Sequence, residues 1–523
     1  MRHVRLPGHV TGGRGGAGAV MAAPVEEKEA AAAEPEAGDG DGDGDEAALR
    51  RLEELVEELY RFRARLPHSA GGQSPTDDPA CPTDAPACPT DVPGCPTDDP
   101  ACPTDAHGCP TADPDDLVAE MERTLQLMEA VHVSPQARGR ALVLRARALG
   151  VCAAGAPRAE QSLSRAVKLE PGLGVAWTRL GEARWGRGDL AGARACFAGA
   201  LAHGEDAEAR RLLSMALRAG GGAGGGAGGS LRQSLAQAEA AVRCAPADGR
   251  SWYVLGNAYV SLFFAGGQSP DHARRALGAY AQAERVDPEA ANNPDLHLNR
   301  ATLLQYEERF GAALEGLGRA SALAPRWEEP RRRHAHLLDF LGRLCALLAN
   351  RGKLRGKRRR GLQGPLPPSL LGPLGGPGGP RPSPLAALRP GPNPRRALLA
   401  RVIFSLTPEG GRALVMGVAD GAGGVAAVTV YNAAPDWGVL VGDALALPEP
   451  ILRQHHVAHQ GKTFSFLGIR VSSPLSLVVN GRRPPGPALA PARLALRNDP
   501  APAATPPPHA PPDAPSNAGA RWE

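Results

Sequence analysis

The chain has little aromatic material: six Trp, six Tyr and nine Phe, 4% of its 523 residues. A single core for so long a chain needs far more large flat side chains, which excludes one compact domain. Lysine is scarcer still, five residues against 54 arginines, and the formal net charge is only +4. That balance says little about partners. Abundant Ala, Gly, Arg and Pro point to nucleotide bias at exposed positions, so a lone surface arginine carries little weight. There is no 18-residue apolar run and hence no expected membrane helix. CxxC pairs are absent, and so are a phosphate-binding glycine loop with its lysine, HExxH and GxSxG. Neither an enzyme nor a bound metal or cofactor is expected. The first 20 residues carry Arg2, Arg5 and Arg14 but no apolar signal-peptide region, and Met21 reads as a plausible alternative start. The protein is expected to be intracellular.

Glycine and proline are what the chain has in excess, 65 and 52 residues. They are clustered. Residues 1–45, ending in DGDGDGD, are expected to be disordered. Residues 46–66 change character, with Leu49, Leu52, Leu55, Val56, Leu59, Phe62 and Leu66 mostly three or four apart. This spacing predicts an amphipathic helix, stopped by Pro67. A CPTD array fills 67–114 and places Cys81, Cys88, Cys95, Cys102 and Cys109 seven residues apart with almost nothing apolar to bury. The other cysteines, Cys152, Cys196, Cys244 and Cys345, sit singly in helical patterns and are expected to be buried free thiols. A second helix, using Leu117, Met121, Leu125 and Met128, is expected at about 115–132 and pairs with the first.

From residue 140 a 34-residue period sets in, with small residues where paired helices touch and proline after the second helix. The clearest unit has Trp177, Leu180, Gly181, Ala193, Phe197 and Ala200. Pro171 precedes Trp177 by six residues, and Pro246 precedes Trp252 by the same interval. The Trp252 unit continues with Gly256, Tyr259, Ala276, Tyr280 and Ala283, and a further unit has Ala301, Ala313, Leu317 and Ala320. A degenerate repeat between them is interrupted by a glycine-rich insertion at 219–229. About five repeats, closed by a helix at 329–349, predict a superhelix over 115–350. RGKLRGKRRR then opens a basic block and Pro/Gly linker at 351–398. Residues 399–482 switch to period-two patterning, with RVIFSLT, ALVMGVA, VAAVTVYNA, KTFSFLGIRV and LSLVVNG as strands of a small closed barrel. His455, His456 and His459 are placed in a polar loop between strands, and Asp420 and Asp443 in turns. The tail at 483–523 is expected to be disordered.

A superhelix of this kind lines its inner surface with the first helix of each repeat. Trp177, Trp252, Tyr259, Tyr280 and Phe197 fall at positions that pack, whereas Asn257, Asp295, Asn299 and Arg218 are polar candidates for a ligand-facing surface. The block Arg351–Arg360 can hold phosphate backbone without reading sequence, although nuclear targeting and a merely solvated linker are open alternatives.

LSRAVKLEP at 163–171, AWTRLGEARWGRGDLAGARACFAGAL at 176–201, DGRSWYVLGNAYVSLFFAGGQSP at 248–270 and NPDLHLNRATLLQYEERFGAALEGLGRA at 293–320 resemble the tetratricopeptide repeat protein 5 family. So do VYNAAPDWGVLVGD, KTFSFLGIRV and LSLVVNG in the barrel. The likeness covers 46–66 and 115–482. It implies an all-α tetratricopeptide-repeat superhelix followed by a small all-β OB-fold barrel, with disordered insertions and tails. The implied function is a non-enzymatic adaptor, cytoplasmic and nuclear, with two settings. In the first it binds the Met-Arg-Glu start of nascent alpha- and beta-tubulin at the ribosome and promotes tubulin messenger decay through a deadenylase-recruiting adaptor. In the second it scaffolds the p300 acetyltransferase with JMY in the p53 stress response, with possible chromatin association. No membrane and no cofactor are implied. The family's peptide-groove arginine matches Arg218 in LLSMALR and its groove aspartate matches Asp295 in NPDLHLNR, while its ribosome contacts match Arg355 and Lys357.

Overall fold

The computed structural model describes residues 41–66, 114–220, 227–352, 364–406 and 413–490. The CPTD array, most of the glycine insertion, the basic pair Arg355 and Lys357, and the two chain ends lie outside the described residues.

The helices begin with α1 (Asp41–Arg65) and α2 (Pro114–Glu129). Leu52, Leu55, Val56 and Leu59 of α1 share one core with Met121, Leu125 and Met128 of α2. That core also takes in Leu149 of α3 (Arg138–Leu149) and Leu163 of α4 (Ala156–Leu169). The hairpin read from the sequence is therefore docked on the first repeat and gives its apolar stripe a partner. The remaining pairs are α5 and α6 (Gly174–Gly186, Leu190–Ala202), α7 and α8 (Ala207–Ala219, Ala227–Cys244), and α9 and α10 (Gly249–Ala265, Pro270–Val286). A short α11 (Pro288–Ala291) precedes α12 and α13 (Pro294–Tyr306, Phe310–Leu323), and α14 (Glu328–Ala349) ends the array. Five helix pairs follow the N-terminal hairpin, as the repeat spacing predicts.

The small residues of the repeat have a steric cause. A Cβ on Gly181 would lie 2.5 Å from the Phe197 ring, and one on Gly256 would lie 2.5 Å from the Tyr280 ring. Phe197 and Tyr280 are fully buried, so neither ring has room to retreat. Gly256→Val is expected to cost about 1–3 kcal/mol as overpacking, read as a lower urea midpoint with an unchanged slope. The recurrent proline-to-tryptophan interval also has a cause. Trp177 Nε1 donates to the Pro171 carbonyl at 2.8 Å, and Trp252 Nε1 to the Pro246 carbonyl at 2.8 Å. Each indole satisfies an acceptor just beyond the end of the preceding helix.

Gly352 ends α14 in the left-handed region (φ 71°), its N–H donating to the Leu347 carbonyl at 2.7 Å. A Cβ there would lie 2.6 Å from the Ile403 carbonyl, so only glycine lets the chain turn this close to the β module. That module has β1 (Arg381–Pro382), β2 (Gly391–Pro392), β3 (Arg396–Leu406), β4 (Ala413–Asp420) and β5 (Val425–Tyr431). It continues through β6 (Ala444–Pro448), β7 (Ile451–His459), β8 (Lys462–Val471) and β9 (Val478–Val479). The strand order is β2-β7-β8-β5-β4-β3-β6-β9, with β1 added to β3. All ladders are antiparallel except β5–β8 and β1–β3. The long β3 pairs with both β4 and β6, and its register with β4 shifts between Val402 and Phe404. Such an irregularity bends a strand and curls the sheet. Val402, Met416, Val418, Val428, Val430, Leu445, Leu447 and Ile469 fill its inside. Among the described residues no ladder joins β2 to β9, so the sheet is a curled half-barrel and not the closed barrel expected from the strand pattern.

Three further expectations are corrected. Residues 364–395 are not a bare linker: Leu371, Leu385 and Leu388 are buried, and packing continues past 482 to the buried Ala488. Asp420 helps to fix the segment. Its carboxylate accepts from the N–H groups of Leu385 (2.7 Å), Ala422 (3.1 Å) and Gly424 (2.6 Å), so it is a turn residue that also ties the preceding segment down. The histidine cluster lies in strand β7, not in a loop. Polar residues occupy most of ILRQHHVAH, which erased the period-two apolar signal, because part of this strand is covered by the helical array. Cys244 is exposed and not buried, whereas Cys196 is buried and Cys152 and Cys345 are half-buried.

Candidate functional site

The polar residues singled out in the first helices fall on α7, α9 and α12. Arg218 occupies the last turn of α7 and is buried, donating from Nη1 to Ser214 Oγ at 3.1 Å and Ser234 Oγ at 3.4 Å. Asn257 of α9 and Asn299 of α12 are 1% and 3% exposed, and Asn299 Nδ2 donates to Asn257 Oδ1 at 3.3 Å. Tyr280 Oη donates to the same Asn257 oxygen at 2.7 Å, and Asn299 Nδ2 also donates to Tyr253 Oη at 3.2 Å. Burial holds the Tyr280 hydroxyl well above its ordinary pKa, Tyr253 adds to this, and the nearby Arg218 charge pulls it back. Arg218 thus shares its electrostatic neighbourhood with the asparagine–tyrosine network. The network ties two neighbouring repeats together.

This arrangement corrects part of the expectation. Asn257 and Asn299 are buried between neighbouring repeats and are not freely exposed contacts. The Asn257 amide nitrogen has no hydrogen-bond partner among the described residues, which leaves one buried donor without an acceptor. Asp295 is half-buried in the first turn of α12, its N–H held by Asn293 Oδ1 at 2.9 Å. It lies one turn before Asn299, so the two share a helix face. The structure brings Asn257 and Asn299 together with Arg218 close by, and it sets Asp295 at the edge of the same face. Arg355 and Lys357 fall outside the described residues. Tyr280 was legible only as a packing residue and Tyr253 was not singled out, because repeat spacing fixes a ring and is silent on where its hydroxyl points.

A second cluster joins the array to the half-barrel, and nothing in the sequence pattern announced it. Glu308 sits in the turn between α12 and α13 with positive φ (62°) and a side chain 3% exposed. Its carboxylate meets Arg453 at 3.2 Å and Arg470 at 3.5 Å, and accepts from Tyr431 Oη at 3.2 Å. Arg470 also donates to the Tyr306 carbonyl at 2.6 Å and lies 3.9 Å from the Tyr431 ring centroid. Burial pushes the Glu308 carboxyl above the usual range, with the two guanidiniums pulling it down. His455 stacks on Phe466 and faces Phe310 of α13. His459 Nε2 lies 2.9 Å from His334 Nε2 of α14, while the outward His456 bonds Ser465 at 2.9 Å. The three histidines of β7 diverge and converge on no common point.

Burial lowers the His455 pKa to about 4, Arg453 adding to the effect, and burial also lowers His334 and His297. Each of these imidazoles binds a proton less readily in the fold than in the unfolded chain. Their contribution is therefore complete above about pH 6.5 and is lost as pH falls below it, for His455 down to about 4. Glu308 has the opposite sign: its contribution is complete below about pH 4.5 and declines as pH rises through its raised value. Urea midpoints measured from pH 7 to pH 4 should fall, and His455→Phe should flatten the fall by up to about 3 kcal/mol. A slope unchanged by that substitution contradicts the assignment.

Helix pairs stacked into a grooved array, with a half-barrel locked on by buried charges, define a tetratricopeptide-repeat adaptor carrying an OB-fold domain. Residues 381–493 match the family described as tetratricopeptide repeat protein 5 OB fold domain. Tetratricopeptide repeat protein 5 of Homo sapiens is 46% identical over 377 residues, 70% of this chain and 86% of its own. The Mus musculus protein of the same name is 47% identical over the same shares. A solved thermophilic TPR protein of Thermus thermophilus aligns with 39% of this chain and 99% of its own at 22% identity and a TM-score of 0.31. The chain belongs to the tetratricopeptide repeat protein 5 family.

Proposed function

We propose that this protein captures the Met-Arg-Glu start of nascent tubulins in the groove formed by α7, α9 and α12, and docks on ribosomes through its basic block. The observation that carries the reading is the placement of Arg218 and Asp295 on first helices around one buried asparagine–tyrosine network. A peptide arginine pairs with Asp295 and a peptide glutamate with Arg218, with bidentate guanidinium–carboxylate geometry adding selectivity. Such an adaptor carries no chemistry of its own and marks the translated tubulin messenger for decay by recruiting a deadenylase-linked partner.

For the ribosome, Arg355 and Lys357 supply phosphate contacts. Neutralising both should weaken ribosome binding and reduce the slope of log affinity against log salt by about 2, checked by sedimentation over a salt series. An unchanged slope counts against phosphate contact at these residues. The alternative setting, a nuclear scaffold of p300 and JMY, predicts p300 co-purification that is indifferent to charge reversal at Asp295.

A further inference from the structure

The array carries a second cluster of cations, away from the groove. A cavity of about 350 Å³ lies on α12 between the second helices α10 and α13, lined by Leu277, Arg300, Leu304, Arg309, Glu315 and Arg319 among others. Three guanidiniums and one carboxylate give this lining a net positive charge. Arg300 is held by Glu284, and Arg319 is steered by its Nη2 hydrogen bond to the Ala291 carbonyl at 3.1 Å. Arg309 has no hydrogen-bond or ion-pair partner for its guanidinium among the described residues, although its backbone is fixed: its N–H donates to the Leu304 carbonyl at 2.9 Å. The preceding residue, Glu308, anchors the same turn in the half-barrel.

We propose that this furrow is a recognition site for a phosphorylated serine or threonine side chain of a partner polypeptide. A phosphate group at neutral pH carries up to two negative charges and three acceptor oxygens, which suits the unpaired Arg309 together with the remaining donors of Arg319. Leu277 and Leu304 supply an apolar wall for a neighbouring side chain, and the Glu315 carboxylate is outnumbered by the three guanidiniums. A single-stranded RNA would need rings on which to stack its bases, and no aromatic side chain lines the cavity. The site is distinct from the groove proposed above, because Arg218, Asn257, Asp295 and Asn299 are not among its lining residues.

The test uses the full chain and a fluorescein-labelled pool of hexapeptides with a fixed phosphoserine beside leucine, randomised elsewhere, against the same pool carrying serine. The phosphorylated pool should bind at least about tenfold tighter by anisotropy, and inorganic phosphate should compete it off. Arg309→Glu with Arg319→Glu should abolish the difference while leaving the thermal melt intact; both side chains are exposed, so folding is not at stake. Asp295→Lys should leave it unchanged, which separates this site from the nascent-peptide groove. Equal binding of the two pools, a difference that survives the double substitution, or displacement of the peptides by octauridylate in place of phosphate would each overturn the proposal.

Discussion

Glu308→Ala should destabilise the protein by about 3–5 kcal/mol, the cost of stripping the counter-charge from a buried ion cluster. The carboxylate is almost fully enclosed, and Arg470, its partner across the module boundary, is only 11% exposed. Removing Glu308 leaves that guanidinium without its compensating charge and takes the acceptor from Tyr431. Arg453 is more open to water, so its share is smaller. Arg470 keeps its bond to the Tyr306 carbonyl and its contact with the Tyr431 ring, which limits the loss. The expected signature is a urea transition that shifts downward and separates into two, because the cluster is one of the links that make the helical array and the half-barrel unfold together. Glu308→Gln keeps the shape and the acceptor for Tyr431 and should fall between the two proteins. A shift below about 1 kcal/mol with a single transition would show that the apolar contacts alone hold the modules.

Asp295→Lys should weaken binding of a Met-Arg-Glu peptide by about 2–5 kcal/mol, or thirtyfold and more. The loss has two parts. The peptide arginine forfeits its carboxylate, and it now faces a like charge in a partly dry groove. Asp295 is half-buried in the first turn of its helix with one carboxylate oxygen enclosed, so the melt of the variant is recorded beside its binding. A peptide with glutamate in place of arginine should bind the Lys variant better than it binds the parent. Equal affinities of parent and variant for Met-Arg-Glu would remove Asp295 from the site, whatever the groove binds.

Much of the fold was legible because repeats repeat. Gly181 and Gly256 recur where Phe197 and Tyr280 must lie flat, and the Pro171–Trp177 interval recurs as Pro246–Trp252 through one hydrogen bond in each unit. In the β module the strands legible in the sequence were the apolar ones, β3, β4 and β5, which are buried along most of their length. Strand β7 was missed because Arg453, His455 and His459 face Glu308, α13 and α14, so its covered positions are not apolar. The half-barrel's open edge was hidden for a similar reason: β2 and β9 are two residues long, too short to leave a period. At the site, the charges could be placed from the sequence while the burial of Asn257 and Asn299 could not. Their exposure depends on which repeat neighbours press on them. Glu308 escaped notice entirely, since a lone acidic residue in a turn normally faces solvent.

The central claim, that the groove of this adaptor reads a nascent tubulin start on the ribosome, is tested most directly by capturing ribosomes on the tagged protein and sequencing the associated messengers. Parent protein should enrich alpha- and beta-tubulin messengers, with Asp295→Lys losing that enrichment while retaining the fold. Enrichment of no message class by the parent, or the same tubulin enrichment with Asp295→Lys, would contradict it.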